Sequence, residues 1–117
     1  MAKISTHVLD VARGVPAAGV RVALWRLDAG ARALVAEAVT NADGRTSEPL
    51  LSAVELSVGA YELVFQAGEY LRAQGAPLTD PPFLDEVAIR FGVAAGAGSY
   101  HVPLLLSPYG YSTYRGS

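Results

Sequence analysis

Cysteine is absent from this chain. That removes disulfides, thiolate nucleophiles and cysteine-based zinc sites together, and it fits a reducing compartment. No apolar run approaches the roughly 18 residues of a membrane span. The opening MAKISTHVLD has one lysine and then a strand-like alternation, without the apolar core of a signal peptide. A soluble, cytoplasmic protein is the expectation. Charge is sparse at 17% of residues, and nine basic against eleven acidic side chains give a net −2. No basic stripe suits a nucleic-acid backbone, and no polybasic segment suits an anionic membrane. Tight histidine–carboxylate spacings of the H-E-x-x-H kind are missing, so no metal site is expected. A glycine-rich phosphate loop and a G-x-S-x-G elbow are missing too.

Half of the chain, 51%, is hydrophobic, and its 117 residues suffice for one domain with a real core, taken as 1–117. The pattern is one of short strands. Residues 4–9 alternate, with Ile4 and Val8 on one face and Ser5, His7 and Leu9 on the other. Arg13–Pro16 reads as a turn. Residues 20–27 are apolar on both faces in places, Val22 and Leu24 against Ala23, Trp25 and Leu27, which suits a strand held between two layers. Further strands are predicted at 33–40, 60–67, 86–94, 101–106 and 109–115, with a short one near 46–51. Tyr61, Leu63 and Phe65 form the inward row of 60–67. A helical turn or two is predicted over 69–74, between Gly68 and Gly75. Residues 76–85, with three prolines, should be irregular. Pro103 places the 101–106 strand at an edge or an end. About eight short strands with turn signals roughly every ten residues indicate a β-sandwich or barrel.

Chemistry has few candidate carriers. Histidine occurs only as His7 and His101, each pointing away from the more apolar row of its strand. Two ordinary surface histidines would fit the same pattern, yet imidazole is the side chain best matched to proton transfer near neutrality. Arg45 follows the tight Asn41-Ala42-Asp43-Gly44 turn; it is either a solvated turn residue or a planar fork for a carbonyl or anion. The last eighteen residues hold four tyrosines, Tyr100, Tyr109, Tyr111 and Tyr114, and end in Tyr114-Arg115-Gly116-Ser117. Tyrosines covering a core would explain Tyr109 and Tyr111 better than the polar ending. From the residues alone the reading is a soluble β-sandwich with a candidate His/His/Arg/Tyr site.

Three blocks together resemble one family, the 5-hydroxyisourate hydrolases or transthyretin-related proteins. They are Ile4–Asp10 (ISTHVLD) with Gly14–Val20, then Asn41–Arg45 (NADGR), then His101–Ser117 (HVPLLLSPYGYSTYRGS). The order and length of the whole chain agree with that family. Its Tyr-Arg-Gly-Ser ending is the feature that separates the hydrolases from transthyretin, a hormone carrier of the same fold. The resemblance implies an all-β, transthyretin-like sandwich of two four-stranded sheets, with one short helix after the fifth strand. It implies a homotetramer, a dimer of dimers, whose active sites lie at the channel between dimers. It implies hydrolysis of 5-hydroxyisourate to 2-oxo-4-hydroxy-4-carboxy-5-ureidoimidazoline in urate degradation, with no cofactor. His7, Arg45, His101 and Ser117 would be catalytic; His7, Arg45, Tyr114 and Arg115 would bind substrate. The competing expectation is a transthyretin-type carrier holding a small aromatic ligand in the channel. The stretch Phe83-Leu84-Asp85-Glu86 departs from the aromatic pair and proline that many members carry after the helix.

Overall fold

The computed structural model describes residues 3–52 and 56–116. The strands are β1 (Ile4–Asp10), β2 (Val15–Pro16), β3 (Arg21–Asp28), β4 (Ala31–Val39), β5 (Gly59–Gln66), β6 (Glu86–Val93), β7 (Tyr100–Ser107) and β8 (Gly110–Thr113). The one helix among the described residues, α1 (Ala67–Ala73), follows β5 directly. They form two four-stranded sheets, ordered β2-β1-β7-β8 and β4-β3-β5-β6. This is the sandwich expected, and no helix among the described residues is long and apolar enough to cross a membrane.

Strand alternation builds the core. In the second sheet, registered rows such as Val22–Phe65–Val87 and Leu24–Leu63–Ile89 run across three strands, and all six side chains are buried. In the first sheet β1 and β7 are parallel, pairing Thr6 with Val102, Val8 with Leu104 and Asp10 with Leu106. These residues face the opposite sheet and are buried. Buried polar groups there are satisfied. Thr6 Oγ1 donates to the Val102 carbonyl at 2.7 Å, and the Tyr70 hydroxyl donates to Asp10 Oδ2 at 2.8 Å. The other face of β1 and β7 carries the candidate chemistry.

Several local expectations are corrected. Val15 and Pro16, read as part of a turn, pair with Asp10 and Leu9 as a two-residue strand. No strand forms over 46–51; Pro49 interrupts it, and only Ile4 and Leu51 make an isolated bridge to β1. The outer face of β3 is not under a second layer in this chain. Trp25 is half-buried and covered by the Arg32 guanidinium, 4.0 Å from the ring centroid. The helix begins before Gly68 rather than after it, and Gly68 marks a close approach instead of a boundary: a Cβ there would sit 2.8 Å from Asp85 Oδ1 and 3.0 Å from the Leu84 carbonyl.

Pro103 also sits differently. β7 is interior, between β1 and β8. Proline is tolerated because the β7–β8 ladder skips it. The last regular pair is Leu104–Thr113, and the chain re-engages at an isolated His101–Gly116 bridge. The Pro103 carbonyl accepts instead from Thr113 Oγ1 at 2.8 Å.

Candidate active site

The parallel β1–β7 register sets Ser5 opposite His101 and His7 opposite Pro103. The two histidines therefore lie on the same outer face of one sheet, on neighbouring strands, two rows apart. The turn residues come in beside β1 just beyond β2. Val8 N–H donates to the Gly44 carbonyl at 2.8 Å, and His7 and Arg45 form a backbone bridge. Asn41 shapes that turn, its Oδ1 accepting from the amides of Asp43 at 2.9 Å and Arg45 at 3.2 Å. Gly44, at φ +76°, is buried against β1, where only glycine fits beneath the Val8 carbonyl.

The result is a cleft of about 510 Å³ lined by Lys3, Ser5, His7, Arg45, Ser99, His101, Tyr114 and Gly116. Two cations and two imidazoles share it, and among the described residues no carboxylate lines it. Among the described residues no cluster of three or more His, Asp or Glu could hold a metal ion.

Each histidine is held differently. His7 Nε2 lies 2.7 Å from the Asp43 carbonyl oxygen. A carbonyl only accepts, so this nitrogen carries a proton and donates. His101 is half-buried, with Nδ1 2.9 Å from Ser5 Oγ. Burial, reinforced by the charges of Arg45, His7 and Lys3, holds its pKa below the ordinary histidine value. His101 is thus a neutral imidazole at neutral pH, able to take a proton.

The tail is ordered onto the same site. Gly116 N–H donates to the His101 carbonyl at 2.7 Å, and Tyr114, 60% exposed, stands at the rim of the cleft. Arg115 does not enter the cleft. Its guanidinium donates to the carbonyls of Ala97 at 2.7 Å and Ser99 at 3.0 Å and lies 4.2 Å over the Tyr100 ring. In this chain it anchors the tail. Ser117 lies outside the described residues. Of the six residues singled out in the sequence, His7, Arg45, His101 and Tyr114 converge. Lys3, Ser5 and Ser99 were missed. Lys3 and Ser5 share the parity of His7, and that alternation was the signal available.

The chain matches the model of the HIUase/Transthyretin family over residues 4–116. It is 60% identical over 115 residues to a 5-hydroxyisourate hydrolase of Mesorhizobium japonicum, covering 98% of this chain and 92% of that one. Among solved structures, the 5-hydroxyisourate hydrolase of Klebsiella pneumoniae superimposes with a TM-score of 0.82 at 37% identity, over 100% of both chains. Sea bream transthyretin in complex with thyroxine superimposes at 0.88 but with 27% identity, covering 98% of this chain and 95% of that one. Backbone likeness thus spans both an enzyme and a thyroxine-binding protein, and the side chains of the cleft must discriminate between them. With a match along almost its whole length and these relatives, the chain belongs to the HIUase/Transthyretin family.

Proposed function

We propose that this protein hydrolyses 5-hydroxyisourate, opening its six-membered ring at an N–C(=O) bond. The single observation that carries this reading is the convergence of His7, His101 and Arg45 on one cleft that no side-chain carboxylate of the described residues lines. That set suits attack of water on a carbonyl of a planar, polar heterocycle. It is less suited to holding an apolar hormone-like ligand.

The steps follow from the geometry. A water in the cleft adds to the substrate carbonyl carbon and gives its proton to neutral His101. Such a base contributes about 10² to 10⁴ in rate. His7, whose Nε2–H is committed to the Asp43 carbonyl, orients that water through its other nitrogen. The carbonyl oxygen becomes an oxyanion facing Arg45, whose guanidinium has no hydrogen-bond or ion-pair partner among the described residues. Loss of one such donor costs about 3 kcal/mol of barrier. Collapse of the tetrahedral species breaks the C–N bond, and the proton on His101 passes to the departing ring nitrogen. Tyr114 holds the heterocycle at the rim, and Ser117 completes the hold on the water. Arg115 acts through the tail it anchors.

The same proposal places the cleft at an interface of a homotetramer, a dimer of dimers. Tyr111 and Tyr114, 45% and 60% exposed in and after the edge strand β8, support it as surface that a neighbouring copy would cover. A cytoplasmic site of action accords with a chain that has no cysteine.

Freshly generated 5-hydroxyisourate, followed by ultraviolet absorbance, provides the test. The wild type should accelerate its decay, and folded Arg45→Ala should lose most of that acceleration. Unaccelerated decay together with saturable binding of an iodinated aromatic would favour the carrier instead.

A further inference from the structure

Ser5 has no assigned part in the chemistry, yet it meets the proposed base. The β1–β7 register pairs it directly with His101 across 96 residues of sequence, and its Oγ lies 2.9 Å from Nδ1. The opposite side of the ring is occupied by the tail backbone. A Cβ on Gly116 would lie 2.7 Å from His101 Cδ2 and 3.3 Å from its Cβ and Cγ. Gly116 also binds the His101 carbonyl through its amide, at 2.7 Å. Two edges of the imidazole are therefore taken, and the edge bearing Nε2 is left.

We propose that Ser5 and Gly116 are positioning residues that brace His101 from both sides and fix it as the Nδ1–H tautomer, with the bare Nε2 turned to the reacting water. The Nδ1–H donates to the Ser5 hydroxyl oxygen. The alternative, a serine O–H donated to Nδ1, would put an N–H at Nε2, in a cleft whose charged lining residues, Lys3 and Arg45, are both positive. A lone pair on that side is favoured by the same charges. The brace also makes the ordering of the C-terminal tail a condition of catalysis, since Gly116 closes one side of the ring. This inference rests on the hydrolase reading for its kinetic consequence but not for its structural one.

The test has two arms. The ¹⁵N spectrum of the His101 ring, recorded above its pKa in the wild type, should show a protonated Nδ1 and a bare Nε2. Ser5→Ala should give a mixture of tautomers and lower kcat about 10- to 100-fold, by analogy with removing the partner that orients a metal-bound histidine, with KM unchanged. Losing the acceptor also removes a bond that favours the imidazolium, so the acid limb of kcat/KM should move to lower pH. The titratable groups that share the cleft with the ring, Lys3 just before β1, His7 on β1, Arg45 after the turn and Tyr114 in the tail, are unchanged by this substitution. Ser5→Thr, which keeps the hydroxyl, should restore kcat and the profile. A protonated Nε2 in the wild type, or Ser5→Ala with wild-type kcat and pH profile, overturns the brace. A wild type that does not accelerate hydroxyisourate decay counts against the hydrolase reading instead, and the ring spectrum still decides the brace.

Discussion

Replacing Gly44 by alanine should injure a site that the residue never touches chemically. Gly44 has φ +76° and is buried. Alanine in that left-handed region costs about 1 to 2 kcal/mol. Its methyl group would also collide with the Val8 carbonyl oxygen, and the next contacts, Ala17 N and His7 Cδ2, are both 3.3 Å away. That carbonyl cannot swing aside, because it accepts from Ala17 N–H at 2.9 Å inside the sheet. The turn must lift, and the Val8 N–H bond to the Gly44 carbonyl is lost at about 1 kcal/mol. Together these terms give about 2 to 3 kcal/mol, or a fall in Tm of about 10 °C for a domain this size. Lifting the turn also displaces Arg45 and the Asp43 carbonyl that holds His7. A misplacement of about 1 Å costs about 100-fold in rate, so kcat/KM should drop by that order in protein still folded at 25 °C. Gly14→Ala is the control: its φ is similar at +71°, but nothing lies within 4 Å of the added methyl. It should show a smaller loss of Tm and wild-type turnover. Thermal unfolding by circular dichroism and the ultraviolet decay assay read both effects. Gly44→Ala behaving like Gly14→Ala in both would refute the reasoning.

Three other outcomes are expected. Because His101 acts unprotonated and its pKa is depressed, the acid limb of kcat/KM should lie below the ordinary imidazole value of about 6.5; Lys3→Ala removes a charge that disfavours the imidazolium, so the limb should rise, as a pH–rate series will show. Tyr70→Phe strips a buried donor from Asp10 and should cost about 1 to 3 kcal/mol of stability in urea, with kcat intact. Deleting residues 114–117 should abolish turnover while far-ultraviolet circular dichroism still reports the sandwich.

Local signals in the sequence were sufficient for much of the fold and for little of the site's geometry. Alternation located the buried row of β5, and the Asn-Ala-Asp-Gly turn was legible because the Asn41 side chain and the bare backbone of Gly44 encode it. Parity turned His7 and His101 away from the core. Their meeting depends on a parallel pairing of the first and seventh strands, and no local pattern reports such a register. For the same reason Ser5, placed on the face of His7 by alternation, gave no sign that it meets His101. Pro103 misled because its missing donor implied an edge, whereas the ladder to β8 skips two pairs and resumes at Gly116. Trp25 implied a second layer because its outer face is apolar, and a guanidinium covers it instead. Arg115 carried the family's most specific motif, but its long side chain turns back to the Ala97 and Ser99 carbonyls, a choice set by loop shape rather than by spacing.

The most direct measurement is the initial rate of 5-hydroxyisourate disappearance at equal concentrations of folded wild type and His101→Asn, each corrected for spontaneous decay. The account predicts clear acceleration by the wild type and a loss of about 10² to 10⁴ of it in the variant. A variant that turns over substrate as fast as the wild type would contradict it.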